Sequence, residues 1–160
     1  MLEINKTCNI KIFDNINELE TYEINYIQKA RSLIDTVYAP YSKFHVVCLA
    51  QLNNGDIVSG INIENNSYGA TICAERTMIS NLMINHPNKK VKTIILTYKY
   101  KNGNSNTPIT PCGICRQSLS ELINNQKQDI KLITTGETGN IWILDNLSHL
   151  LPFSFDKLTN

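Results

Sequence analysis

Long hydrophobic runs are missing from this sequence: no apolar stretch reaches the ~18 residues that would carry a helix across a bilayer. The first residues, MLEINKTCNIKIFD, interleave Glu3, Lys6 and Lys11 with apolar side chains, so no secretory signal is expected. A strong charge of either sign is missing too. Fifteen Lys and Arg against fourteen Asp and Glu leave a formal net charge of +1, with no broad field to attract nucleic acid or an anionic membrane. The small basic cluster NKKVK, Asn88 to Lys92, reads as a solvated turn before a strand. Seven glycines and five prolines in 160 residues form no linker, and no long repeat is visible. What these absences leave is a single domain over residues 1–160, with a cytoplasmic location expected. In that compartment disulfides are disfavoured.

Cysteine is present, and its count is odd: Cys8, Cys48, Cys73, Cys112 and Cys115. In a chain of this kind that argues against a disulfide framework and for thiol or metal chemistry.

Apolar periodicity supplies the frame. A short strand is possible over Cys8–Phe13. Leu19, Tyr22, Tyr26, Ala30, Leu33, Ile34 and Val37 recur at three- and four-residue spacing, which predicts one helix over residues 17–39, ended by Ala39-Pro40. His45–Leu52 and Ile57–Ile63 read as two strands joined by the turn Asn53-Asn54-Gly55-Asp56. A helix is predicted from about Cys73 to Met83, a buried strand over Val91–Tyr100, and a helix from about Gly113 to Ile123. Two short strands follow, at Ile130–Thr134 and Asn140–Leu144. This order predicts an α/β fold: three α/β/α layers around a mixed, roughly five-stranded sheet. Residues 1–35 form an N-terminal extension and first helix, and 36–155 the motif-bearing core.

Two motifs carry chemistry. TICAERT places Cys73, Glu75 and Arg76 where one helix begins, and PCGIC places Cys112 and Cys115 where another begins. A helix N-terminus offers unpaired N–H groups and a positive dipole end, which stabilise thiolates and metal-bound sulfur. Two such ends can bring three thiolates to one zinc ion, and three protein ligands leave a position for water, as catalytic zinc sites do. Glu75 can then move protons without ligating the metal. Three thiolates on Zn2+ sum to a net negative charge, and Arg76 is placed to hydrogen-bond a ligand sulfur and offset it. A CxxC pair by itself also fits a structural zinc site or a redox pair. A fourth cysteine ligand would have to be Cys48 or Cys8. Cys48 reads as a small buried strand residue and Cys8 as an incidental thiol.

Together, C-A-E and P-C-x-x-C resemble the zinc nucleobase deaminases, whose signature is H-x-E…P-C-x-x-C. With Cys73 in the histidine position the chain resembles the small-subunit, homotetrameric class of cytidine deaminase. YAPYSKF (38–44), GINIENNSYG (60–69), TPCGICRQ (110–117) and LLPFSF (150–155) occur in that family's order. The resemblance implies a zinc ion in each subunit, held by Cys73, Cys112 and Cys115, with Glu75 as the proton shuttle. It also implies that Phe44 packs on the pyrimidine face, that backbone near Ala74 reads the pyrimidine edge, and that Asn62 and Glu64 bind the sugar 3'-hydroxyl. Tyr68 and Phe155 resemble aromatics that complete a neighbouring subunit's pocket. The implied reaction is hydrolytic deamination of cytidine and deoxycytidine, a step of pyrimidine salvage, on a free nucleoside and not on nucleic acid. Asn66 departs from the pattern, standing where a small residue is expected, as do Val47 and Cys48.

Overall fold

In the computed structural model, which describes residues 1–156, the elements follow as β1 (Lys11–Phe13), α1 (Thr21–Arg31), β2 (Phe44–Leu52), β3 (Ile57–Ile61), α2 (Ala74–Asn85), β4 (Val91–Tyr100), α3 (Gly113–Gln126), β5 (Lys131–Thr135) and β6 (Ile141–Leu144). The strands make one sheet in the order β1-β6-β5-β4-β2-β3. Only β4 and β5 run parallel, so the sheet is mixed as expected. The possible strand near Cys8–Phe13 forms as β1 against β6 and raises the expected five strands to six.

Helices cover both faces, and this is why β4 is a nearly continuous apolar run rather than an alternating one. Successive side chains of a strand point to opposite faces. Ile95 therefore joins Val47, Leu49, Ile133 and Ile143 under Ile27 and Ala30 of α1. Ile94 and Leu96 join Cys48, Ala50, Leu52 and Leu132 under Ala74, Met78 and Leu82 of α2 and Leu119 and Leu122 of α3. Each large aliphatic side chain buried here contributes about 1.5–3 kcal/mol. Cys48 lies wholly inside this second layer, as a small core residue. Among the described residues, no helix is long and apolar enough to cross a membrane.

The single helix expected over residues 17–39 is instead three pieces. Ile16–Glu18 is a separate 3-10 turn, capped by Asn15, whose Oδ1 accepts from Asn17 N and whose N–H donates to Glu18 Oε1. Leu19 and Glu20 are extended before α1 starts. At the far end the Ser32 hydroxyl donates to Lys29 O and the Thr36 hydroxyl to Leu33 O. Such local bonds compete with the helical ladder, and Ile34–Thr36 tightens to a 3-10 turn. The apolar stripe survives the breaks because every piece packs on the same sheet face.

The loop from Lys101 to Thr110, long for a compact domain, is held by the end of β4, by β5 and by the β5–β6 turn. Ser105 Oγ accepts from Tyr100 N at 2.8 Å, Thr138 N donates to Ser105 O, and the Thr134 hydroxyl donates to Ile109 O. The turn can approach this closely because it carries glycines. A Cβ on Gly136 would lie 2.0 Å from Ser105 O, and one on Gly139, whose φ is +80°, 1.9 Å from Asn106 O. Gly139→Ala meets both the clash and the left-handed backbone, and is expected to cost about 3 kcal/mol. That corresponds to a fall of about 10 °C in the thermal unfolding midpoint. A midpoint within about 2 °C of the parent, less than about 1 kcal/mol on the same scale, would show that the two loops do not depend on this close packing.

Candidate active site

Two helix N-termini and one strand end converge on a single cavity of about 500 Å³. Cys73 is the N-cap of α2 and Cys112 the N-cap of α3, both extended in backbone, with Cys115 one turn into α3. The Cys73 and Cys112 Sγ atoms are 3.9 Å apart, those of Cys112 and Cys115 3.5 Å, and all three lie within 4.8 Å of one another. Tetrahedral sulfurs at the usual Zn–S length stand about 3.8 Å apart, so the thiols are spaced to share one zinc ion.

The electrostatics of the donor set agree. Burial pushes the Glu75 carboxyl above its ordinary range. Burial, then the neighbouring Glu75 and the other two thiols, pushes the Cys115 thiol far up. Burial likewise leads in raising Cys73, with Cys112 and Glu75 adding to it. Cys112 goes the other way: burial opposes its ionisation, but the N–H groups of Cys115 and Ile114 and the adjacent thiols hold it below the ordinary thiol value. Three thiols and a buried carboxyl in one pocket cannot all ionise without a cation among them. A divalent metal removes that conflict, and its charge favours thiolates.

The remaining walls are fixed by backbone pairing. Ile63 exchanges both backbone hydrogen bonds with Ile72, at 3.0 Å each, and Glu64 N donates to Tyr38 O at 2.9 Å. These bridges end β3 at Ile61, two residues short of the expected Ile63, and lay residues 62–64 against 71–73. Asn62 Oδ1 accepts from Val46 N at 2.7 Å while its Nδ2 donates to Phe44 O at 3.0 Å. One amide hydrogen remains to face the cavity. Glu64 Oε2 accepts from Tyr41 N at 2.8 Å and Ser42 N at 3.2 Å. Although burial opposes it, hydrogen bonds from Ser42 and Tyr41 hold the Glu64 carboxyl below its ordinary range.

Phe44, Asn62, Glu64, Cys73, Ala74, Glu75 and Cys112 all line the cavity. Phe44 stacks on Tyr98 with centroids 4.9 Å apart and planes 20° apart, which fixes the ring. Glu75 is 5% exposed and Ala74 fully buried. Ser42, Thr71, Ile72, Ile109 and Thr110 also line it, and sequence reasoning did not single them out. Ser42, Thr71, Ile72 and Thr110 lie within the motifs YAPYSKF, TICAERT and TPCGICRQ without an unusual side chain to mark them, and Ile109 lies outside them.

Three expected participants stand outside this wall. Tyr68 is 79% exposed and meets Tyr41 edge-on at 6.3 Å; Phe155 is 85% exposed, and neither lines the cavity of its own chain. Among the described residues the Arg76 guanidinium makes no hydrogen bond to a ligand sulfur. The arginine with bonds around the metal loop is Arg116, which donates from Nε to Pro111 O, from Nη1 to Leu150 O and from Nη2 to Thr110 Oγ1.

An α/β/α fold with three thiols and a buried glutamate at paired helix N-termini defines the class of zinc hydrolases that act on nucleobase amino groups. The comparisons agree. Residues 21–127 match the family model of the cytidine and deoxycytidylate deaminase zinc-binding region. The chain is 30% identical over 132 residues to the cytidine deaminase of Mycoplasma genitalium, covering 82% of this chain and 88% of that protein. It is 34% identical over 119 residues to the one from Halalkalibacterium halodurans, covering 69% and 86%. A crystal structure of cytidine deaminase from Burkholderia pseudomallei superposes with a TM-score of 0.71 at 29% identity, covering 86% of this chain and all of that one. The chain belongs to the cytidine deaminase family and is a zinc-dependent enzyme of it.

Proposed function

We propose that the protein converts cytidine and deoxycytidine, as free nucleosides, to uridine and deoxyuridine with release of ammonia. The observation that carries this reading is the single cavity in which Glu75, Cys73, Cys112, the Phe44 face and the Asn62–Glu64 pair meet, with the Cys115 thiol buried within 4.8 Å of the other two. Zinc, when bound, supplies the Lewis acidity that makes water a nucleophile near neutral pH.

The chain's own residues supply the rest. Phe44 gives the pyrimidine ring a flat face against which to stack. The unused Asn62 amide hydrogen donates to the sugar 3'-hydroxyl, and Glu64, held ionised by its turn, accepts from it. Both sugars carry that hydroxyl, so both are substrates. Glu75, buried and with a raised pKa, takes a proton from the attacking water and delivers it to the ring nitrogen N3. It then carries a proton to the departing amino group. The C4–N bond breaks, a C4 carbonyl forms, and water's two hydrogens are accounted for in the ammonia and the ring N–H.

No lysine or arginine is among the described residues lining the cavity, and Glu64 is an anion within it; both favour a nucleoside over a nucleotide. Tyr68 and Phe155, both largely exposed and lining no part of their own chain's cavity, are free to complete a neighbour's pocket in a homotetramer. Such an enzyme serves pyrimidine salvage in the cytoplasm. The test is turnover by zinc-loaded protein of cytidine, deoxycytidine and their 5'-monophosphates, following ammonia and the uracil product. Both nucleosides are expected to react, with kcat/KM at least about 100-fold above that of the monophosphates, the discrimination expected when an unpaired charge is forced into such a site. Equal or faster nucleotide turnover would overturn the substrate assignment.

A further inference from the structure

We infer that Arg116 is a positioning residue for zinc: it sets the Cys112 arm of the site and ties that arm to the C-terminal segment. Its side chain is half-buried and spends a charged fork on three neutral acceptors, with no carboxylate partner among the described residues. Nε reaches Pro111 O at 2.8 Å, Nη2 reaches Thr110 Oγ1 at 3.1 Å, and Nη1 reaches Leu150 O at 3.1 Å. Two of these contacts fall on the residues immediately before Cys112, and Arg116 itself follows Cys115. The Arg116 N–H also donates to Cys112 O at 2.9 Å, closing the first turn of α3. Both thiols of the CxxC pair are thus bracketed by one guanidinium.

Pro111 has no N–H of its own to anchor the loop, and Thr110 faces the cavity. Without the fork, the two residues between Ile109, whose carbonyl accepts from the Thr134 hydroxyl, and Cys112 at the start of α3 lose their side-chain anchor. A planar guanidinium can serve acceptors on three sides at fixed angles, which a lysine ammonium on a flexible stem cannot. Groups that orient metal ligands in this way typically account for 10- to 100-fold in metal affinity. The Arg116 cation also stands next in sequence to a thiolate set that exceeds the metal's charge by one. The inference rests on the zinc site and not on the substrate, so its test uses no nucleoside.

Zinc affinity of the full chain is measured by competition with a chromogenic chelator, alongside the thermal midpoint of the metal-free protein. Arg116→Lys and Arg116→Ala are each expected to weaken zinc binding by about 10- to 100-fold. Gln117→Ala is the matched control. Gln117 holds the same tail, its Nε2 donating to Phe155 O at 2.8 Å and its Oε1 accepting from Phe155 N at 3.0 Å, but it makes no bond to the metal loop. Its zinc affinity is expected to equal the parent's. Zinc affinity within about threefold of the parent in Arg116→Lys would overturn the inference, well short of the usual loss. So would an equal fall in Gln117→Ala, and so would a fall confined to the midpoint of the metal-free protein. If Arg116→Ala does not fold, the lysine variant and the control decide alone.

Discussion

Glu75→Gln lowers turnover by about 10³-fold, within the range a general acid–base group supplies, and leaves the zinc content unchanged. The glutamine amide fills the same buried volume, 5% exposed beside the thiols, but cannot accept and return a proton. The loss corresponds to about 4 kcal/mol of transition-state stabilisation. The measurement pairs steady-state kinetics with metal analysis of the same preparation. Retained zinc with activity lost separates proton transfer from ligation. If zinc were lost together with activity, the carboxylate would be part of the metal's coordination, and the three-thiol reading would fail. Activity within tenfold of the parent would remove Glu75 from the chemistry altogether, since a proton shuttle is worth more than that.

Gly60→Ala is expected to disturb both the fold and the metal. A Cβ at this position would lie 2.2 Å from Met78 N, 2.3 Å from Ala74 O and 2.6 Å from Thr77 Oγ1. Two of those atoms are backbone of α2 and cannot rotate away. The helix rests directly on β3 here, with the Thr77 hydroxyl donating to Ile61 O at 2.7 Å and Asn81 Nδ2 to Ser59 O at 3.0 Å. An added methyl must lift α2, and the N-terminal end of α2 carries Cys73, Ala74 and Glu75. The expected cost is about 3 kcal/mol, the upper end for overpacking, seen as a drop of about 10 °C in the midpoint. Zinc affinity should fall in the same variant, because one of three ligands moves with the helix. Gly69→Ala, where an added Cβ meets nothing within 4 Å, is the control and should change neither. A Gly60→Ala protein as stable as its parent would mean that α2 can ride up without cost.

The candidate site residues were legible because each is an unusual side chain at a fixed place on an element. Cys73, Glu75, Cys112 and Cys115 stand at predicted helix starts, where helix-end physics gave thiols a purpose, and the structure brings them together. Asn62 and Glu64 were legible only by resemblance, since taken alone both read as turn residues. In part they are: each also pins backbone of β2 or of the turn before it. The helix over residues 17–39 was misjudged because periodicity reports which face is apolar, and a helix broken by serine and threonine back-bonds keeps its apolar face. The bonds of Arg116 were not legible, because its three acceptors include Leu150, distant along the chain. The ordering of the long loop by Gly136 and Gly139 was invisible, since it depends on a close approach between segments distant along the chain.

The pairing of β1 with β6 bears on how the chain acquires its shape. Its register sets Lys11 opposite Ile143, so almost the whole polypeptide is looped between the two strands. Closing so large a loop forfeits chain entropy, and three residues of pairing recover little of it. The strand Lys11–Phe13 is thus placed to join last during folding and to detach first in the native ensemble, with Ile12 already 59% exposed. The β2, β3 and β4 antiparallel ladder and the α2 that rests on it come from nearby stretches of chain and gather early. The part of the candidate site carried by β2, β3 and α2 is therefore assembled before the sheet's far edge is closed, and fraying there leaves it standing.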